Sequence, residues 1–248
     1  MKWRLLPFET RSAALNMAID EAIMESVAMR TSPPTVRFYG WSPSAVSIGC
    51  FQNIGDEVDL KRCRELGIDV VRRRTGGGAV FHAEGGEITY SLIAPEPIMP
   101  QDIDLSYSDI CGRVVQALRS LGLASEFKPI NDILVEGKKI SGSAQTRRGG
   151  ILLQHGTLLL HLDEDLMFQA LRVGKKKIED KGLSDARERV TSLDRHAQAS
   201  EERVLAALAA SFSAGIDSSV GYISKAEMTR AQEIAEQRYL SQEWTFSR

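Results

Sequence analysis

The chain has 248 residues, 43% apolar and 26% charged, which is enough for one substantial core in a globular enzyme or binding domain. Lys and Arg number 31 against 33 Asp and Glu, so the net charge is −2. That balance argues against a general nucleic-acid binder and leaves room for a local basic site. Cys50, Cys63 and Cys111 form no CxxC pair, which fits a reducing compartment and speaks against a disulfide framework or zinc ribbon. The opening MKWRLLPFETR is too short in apolar residues for a signal peptide, and no run approaches a membrane span. The expectation is a cytoplasmic protein with no nucleic-acid or membrane partner.

Residues 2–8 read as a short strand, and 12–29 as a helix with Leu15, Ile19, Ala22 and Ile23 on one face. Pro33 and Pro34 end that segment. TVRFYGW (35–41) and AVSIG (45–49) read as strands around a Ser-Pro-Ser turn. A charged helix over 56–66 closes at Gly67, and IDVVRR (68–73) is a strand leading into a glycine loop. AVFH and EITYSLIA (87–94) flank an AEGG turn. The stripe Ile110, Val114, Ala117, Leu118 and Leu121 marks a helix over 105–122. Then come DILVEGKKISGSAQ (132–145), with a hairpin glycine, and GILLQHGTLLLHL (150–162). A short helix is expected over 164–172, a mobile charged loop over 174–189, and helices over 198–214 and 225–240. The order of elements indicates an α+β fold, one domain over 1–248, with a mixed central β-sheet flanked by helices.

Three stretches could carry chemistry. In RRRTGGGAVFH (72–82) the glycines let backbone N–H groups approach a ligand, and successive N–H groups form a nest for anions. The neighbouring arginines could add charge-assisted bonds to phosphate or carboxylate; a flexible hairpin with solvated arginines is the plainer alternative. The stretch is neither a Walker A loop nor a Rossmann fingerprint. In NDILVEGKKISGSAQ (131–145), Lys139 could neutralise a phosphate or polarise a carbonyl, and Asn131 and Asp132 offer oxygens of the kind Mg²⁺ prefers. In LQHGTLLL (153–160), His155 interrupts an apolar strand, a pattern shared by core histidines and catalytic ones. No HExxH, Cys/His cluster or G-x-S-x-G elbow occurs.

Taken together, NMAIDEA, VSIGCFQN, RRRTGGGAVFH, NDILVEGKKISGSA, QHGTLLL and AEQRYLSQEWTF resemble the lipoate–protein ligase A family over about 13–246. The resemblance implies a fold like the catalytic domains of biotin ligases and class II aminoacyl-tRNA synthetases. It also implies ATP and Mg²⁺ as cofactors, lipoate or lipoyl-AMP as ligand, and an acceptor lipoyl domain as partner, such as a 2-oxoacid dehydrogenase E2 or a glycine-cleavage H protein. Lys139 would bridge acyl carbonyl and phosphate as the catalytic residue, with Asp132 helping to hold Mg²⁺. The pocket would be lined by Arg73, Thr75, Gly76, Gly77, Gly78, Ala79, Val80 and His82, with Asn131, Asp132, Ser141, Gly142, His155, Gly156 and Thr157 opposite.

Transferases of the wider superfamily carry a cysteine just before the segment matching DILVEGKK, where this chain reads SEFKPIN (125–131). That departure favours an ATP-dependent ligase over the alternative, an octanoyl or lipoyl transferase working between carrier proteins without ATP. A non-catalytic lipoyl-domain-binding subunit is the reading from another class. Longer ligases continue past the point matching EWTF, so the resemblance also implies a separate small accessory subunit.

Overall fold

Strand β2 (Thr35–Trp41) and strand β6 (Glu87–Pro95) are buried along almost their whole length, the pattern of strands covered on both faces. They pair antiparallel at the middle of an eight-stranded sheet. The computed structural model describes residues 1–172 and 189–248; the charged loop expected over 174–189 lies, but for its last residue, outside the described residues.

The chain runs β1 (Trp3–Arg11), α1 (Ala13–Ala28), β2, β3 (Ala45–Ile48), α2 (Ile54–Glu57), α3 (Leu60–Glu65), β4 (Asp69–Arg72), β5 (Val80–His82) and β6. It continues with α4 (Ile103–Ser120), β7 (Ser125–Lys128), β8 (Asp132–Val135), β9 (Lys138–Arg148), β10 (Ile151–Leu159) and α5 (Glu164–Ala170). It closes with α6 (Glu201–Ser213), β11 (Ser218–Val220), α7 (Lys225–Ile234), a π turn over Ala235–Tyr239 and α8 (Gln242–Thr245). The large sheet has the order β11-β1-β2-β6-β10-β9-β8-β7, with β11, β1 and β2 parallel and the rest antiparallel. A second sheet, β4-β3-β5, packs with α2, α3 and α5 around its own small core. The expected mixed α+β architecture, a central sheet flanked by helices, is the one observed.

Helix α4 shows how pattern becomes packing. Asp102 caps it by accepting the Leu105 N–H at 2.9 Å, and Gly122 at φ +90° follows its end. Its inward face buries Ile110, Val114 and Leu118 completely against the sheet and α6. Burial of each such side chain stabilises the fold by about 1.5–3 kcal/mol. On the opposite face, α1 and α7 cover the sheet, and α1 is buried almost all round, Asp20 and Glu21 included. The β8–β9 hairpin turns on Glu136 and Gly137, both at positive φ, as a type I′ turn requires.

The helix expected over 56–66 is two helices. Val58 leaves the helical region at φ −126° and is fully buried, while Asp59 caps α3 by accepting the Arg62 N–H at 3.0 Å. Burying Val58 and making that cap outweigh the hydrogen bonds an unbroken helix would add. The helix expected over 225–240 becomes a π turn after Ile234, and β7 and β11, both short edge strands, were not expected. No described helix is long and apolar enough to cross a membrane.

Candidate functional site

A cavity of about 270 Å³ lies between the two sheets. The large sheet supplies Tyr39 and Trp41 from β2, Thr89 from β6, Ser141–Ala144 from β9 and His155–Thr157 from β10. The small sheet supplies Ser47 and Val80–His82, with Gly77, Gly78 and Ala79 of the glycine loop beside them. Leu159, Leu162, Met167, Leu171 and Val190 add apolar surface. The wall thus offers an apolar body with a few convergent polar groups, the usual make-up of a small-molecule site.

Of the residues expected in the pocket, Arg73, Gly77, Gly78, Ala79, Val80, His82, Asn131, Lys139, Ser141, Gly142, His155, Gly156 and Thr157 line this cavity. Thr75, Gly76 and Asp132 do not. Thr75 is buried behind the loop, where its Oγ1 sits 2.8 Å from His155 Nε2. Asp132 stands beside the cavity with its Oδ1 2.6 Å from Lys139 Nζ.

Arg73 was expected to meet the ligand's anion; it lines the cavity, and its donors are engaged by the loop and by Ser47. Its guanidinium donates to Gly76 O (2.7 Å), Gly78 O (2.8 Å), Thr75 Oγ1 (3.1 Å), Ser47 O (3.1 Å) and Ser47 Oγ (3.2 Å). Burial pulls its pKa down to about 10. The consequence for the loop is geometric. In a trans peptide the C=O and the following N–H point opposite ways. Drawing in the Gly76 and Gly78 carbonyls therefore turns the Gly77 and Ala79 N–H groups away from Arg73. Gly77 takes φ +94°, and a Cβ on Gly49 would lie 2.2 Å from Gly77 O, so both positions exclude a side chain. The other two arginines are also spent. Arg72 is fully buried among backbone carbonyls, and Arg74 pairs with Glu21.

Among the described residues that line the cavity, Lys139 is the cation left near solvent, its side chain 42% exposed. The pairing register between β8 and β9 slips at Ile140, a bulge beside the lysine of the kind that re-aims a side chain. Its backbone is tied on one side, its N–H to Arg189 O at 2.8 Å and its carbonyl to Thr191 N at 2.8 Å. Asn131 Nδ2 donates to Ser143 O, fixing the turn before β8. Ser141 Oγ is buried on the cavity wall without a hydrogen-bond partner among the described residues, an orphan that a ligand could satisfy.

The histidines are held by a buried polar network. His82 sits between Ser47 Oγ and Glu87 Oε1, each at 2.8 Å, and stacks on Trp41 with ring centroids 3.9 Å apart. Burial pushes the His155 imidazole below its ordinary pKa; its Nδ1 is 3.8 Å from Asp20 Oδ2, beyond hydrogen-bond reach. Burial alone would raise the Asp20 carboxyl, but His155, Arg37 (3.0 Å) and Ser91 (2.9 Å) together hold it below its ordinary value. Ser47, Trp41, Thr89 and Ser143 line the cavity and were not singled out in the sequence. Asp20 and Glu21 in NMAIDEA were the available signal: acidic residues amid apolar helix positions must find buried partners.

No thiol lines the cavity. Cys63 and Cys111 are buried in the two cores, where burial pushes Cys63 up to about 11 and also raises Cys111. Cys50 follows the Gly49 turn, its N–H on Thr75 O at 3.0 Å. Among the described residues no three His, Cys, Asp or Glu side chains cluster to hold a metal, and Asp132 is taken by Lys139. The described residues therefore offer no protein-only Mg²⁺ cage, and a Mg²⁺ at Asp132 would need the nucleotide's phosphates for its other ligands.

The lipoyl protein ligase A/B catalytic domain model matches residues 12–213. The octanoyltransferase LipM of Kyrpidia tusciae is 38% identical, the match covering 98% of each chain. Among solved structures, the bi-partite lipoate protein ligase of Thermoplasma acidophilum, described with its E2 lipoyl domain, is 34% identical with a TM-score of 0.88, covering 99% of this chain and 96% of that one. A lipoate-protein ligase A bound with ATP is 32% identical with a TM-score of 0.84, covering 99% of each chain. The curated relative's name favours the transferase alternative over the ligase expected first, and the solved neighbours carry the ligase name. Across that division the likeness holds over nearly the full length, and the chain belongs to the lipoyl protein ligase A/B catalytic-domain family.

Proposed function

We propose that this chain attaches a medium-length acyl group, lipoyl or octanoyl, to a lysine of a lipoyl domain, activating the free acid with ATP as an acyl-adenylate. The observation that carries the adenylate route is the cavity wall without a thiol. A transferase that holds its acyl group as a thioester needs an accessible sulfur at the acyl carbonyl. The wall instead presents an ammonium group and a hydroxyl unpartnered among the described residues, beside loop N–H groups turned from Arg73, a set that suits a carboxylate or phosphate. From β9 to β2 the wall crosses three inter-strand gaps, about 14 Å at ~4.8 Å each, so an acyl chain with its carboxylate at Lys139 extends toward Tyr39 and Trp41.

In the first step a carboxylate oxygen attacks the α-phosphorus of ATP and pyrophosphate leaves. Lys139 leaves Asp132 to meet the carboxylate and phosphate oxygens, and the Gly77 and Ala79 N–H groups hold the phosphate. In the second step the neutral amine of the acceptor lysine attacks the acyl carbonyl carbon, AMP departs, and the amine loses its proton. Lys139 neutralises the negative charge that develops on the carbonyl oxygen, so positioning and electrostatics carry both steps. Mg²⁺ would travel on the nucleotide's phosphates, with neutralisation of their charge as its contribution.

An E2-type lipoyl domain is the favoured acceptor, supported by the neighbour described with one, and a glycine-cleavage H protein has the same chemistry. That neighbour's two-part make-up supports a small accessory subunit here as well. A second reading, ATP-free transfer of octanoyl between carriers, is favoured by the LipM name of the curated relatives. Mass spectrometry of an acceptor lipoyl domain separates the two. The proposal expects the acyl mass increment only with free acid and ATP together. Modification from an octanoyl carrier protein without ATP would establish the second reading in its place.

A further inference from the structure

The glycine loop has a back as well as a front. Its front lines the cavity; its back rests on residues 238–248, and two of the three consecutive arginines make that connection. Arg72 is fully buried and donates to Thr245 O (3.0 Å) and Trp244 O (3.2 Å) from that segment. The same guanidinium donates to Gln52 O (2.7 Å) and Gly49 O (3.1 Å), the two ends of the turn beneath the loop. Trp244 Nε1 returns a bond to Arg72 O at 2.8 Å. The turn is itself seated against the loop: Cys50 N–H donates to Thr75 O at 3.0 Å, and Gly49 abuts Gly77 O too closely to carry a Cβ. Arg74 makes the second fastening. It pairs with buried Glu21, whose carboxylate also receives Arg238 and, at 2.9 Å, the Tyr239 hydroxyl.

These contacts leave the loop little independent freedom. A guanidinium enclosed by carbonyls from two segments fixes the distance between them, because its planar fork cannot satisfy both if either moves. Unsatisfied buried carbonyls are costly, so the turn, the loop and residues 238–248 shift together. Arg73 then sets which way the loop's N–H groups face, and Arg72 sets where the loop stands.

We infer that Arg72 and Trp244 are positioning residues for the adenylate site: they hold the glycine loop from behind, so the grip of the loop on phosphate depends on residues 238–248, none of which lines the cavity. The inference rests on the adenylate reading above, and its test separates the two. Arg72→Lys keeps the charge and loses the fork; Trp244→Phe keeps the ring packing and loses one hydrogen bond. Two binding probes are compared by calorimetry on the full chain: a non-hydrolysable octanoyl-sulfamoyl adenosine and octanoate alone. Amide hydrogen exchange at residues 75–79 is followed in parallel.

Arg72→Lys should bind the adenosine analogue about tenfold more weakly, the net worth of one to two hydrogen bonds, with octanoate affinity unchanged. Trp244→Phe should weaken it about threefold, and exchange at 75–79 should quicken in both. A merely structural role would weaken the two probes alike or neither. Unchanged analogue affinity and unchanged exchange in folded Trp244→Phe and Arg72→Lys would overturn the inference; if Arg72→Lys does not fold, Trp244→Phe decides alone. Failure of the unaltered chain to bind the analogue counts against adenylation, and the exchange comparison still decides the fastening.

Discussion

Arg73 and Lys139 both bring positive charge to one cavity, and they are held in opposite ways. Arg73 is 5% exposed and surrounded by loop carbonyls and hydroxyls, whereas the Lys139 side chain is 42% exposed and faces Asp132 at 2.6 Å. A buried guanidinium with its donors engaged is a frame: removing it leaves several acceptors unpaired. An ammonium on a flexible stem, paired near solvent, can trade its carboxylate for a substrate oxygen at small cost, since exposed pairs are worth about 0–1 kcal/mol. Charge that shapes a site and charge that acts in it are thus told apart by burial and engagement.

The sharpest break in that comparison is Lys139→Ala. It should lower acyl transfer to the acceptor by on the order of 10²–10³ while thermal unfolding barely moves, because one electrostatic donor is lost and only a solvent-screened ion pair with it. Equal activity in a folded Lys139→Ala chain would remove the lysine from the mechanism. Arg73→Lys should show the reverse balance. A lysine cannot span both glycine carbonyls, so denaturant unfolding should report a loss of about 2–4 kcal/mol, with activity falling alongside stability. Unchanged stability there would mean that the loop does not depend on its guanidinium frame.

The contrast also marks what the amino-acid sequence could reveal. TVRFYGW and the α4 stripe announced themselves through period and length, and β2 and α4 formed where their patterns lay. The glycine loop and Lys139 were legible because their residue types are unusual in those surroundings. The roles of the three arginines were not. Their partners are Thr245, the loop's own carbonyls, and Glu21, up to 173 residues away or on the backbone, and neither has a sequence signature. The break at Val58 escaped for a similar reason: its burial against α5 is a tertiary contact that overrides local helix propensity. Edge strands β7 and β11 are too short for alternation to register.

Smaller effects sharpen the picture. Replacing Cys50, Cys63 and Cys111 with Ser, Ala and Ser should leave ATP-dependent acylation of folded protein within about twofold, while the two core positions lower stability by about 1–2 kcal/mol each. Loss of activity without loss of fold would put a thiol back into the reaction. The smallest effect is the pH dependence of His155. Its folded pKa lies below the unfolded value of about 6.5, so the unfolded chain takes up the proton first. Its stability contribution is complete above about pH 6.5 and is lost as pH falls through the folded pKa. Asp20, also lowered, adds a second loss only as pH falls below its ordinary 3.8. Urea unfolding between pH 5 and 7.5 should slope accordingly, and His155→Gln should flatten that slope; a slope unaffected by the substitution would assign it to other groups.

The central claim is that the acyl group is activated on a nucleotide and not on the protein. It is tested most directly by acid-quenching the enzyme during turnover with radiolabelled octanoate and ATP, or with labelled octanoyl carrier protein, and asking where the label sits. The account expects the label in octanoyl-AMP released on denaturation, formed only with ATP, and none bound covalently to the chain. Label retained on the denatured protein and released by hydroxylamine, formed from the carrier without ATP, would contradict it.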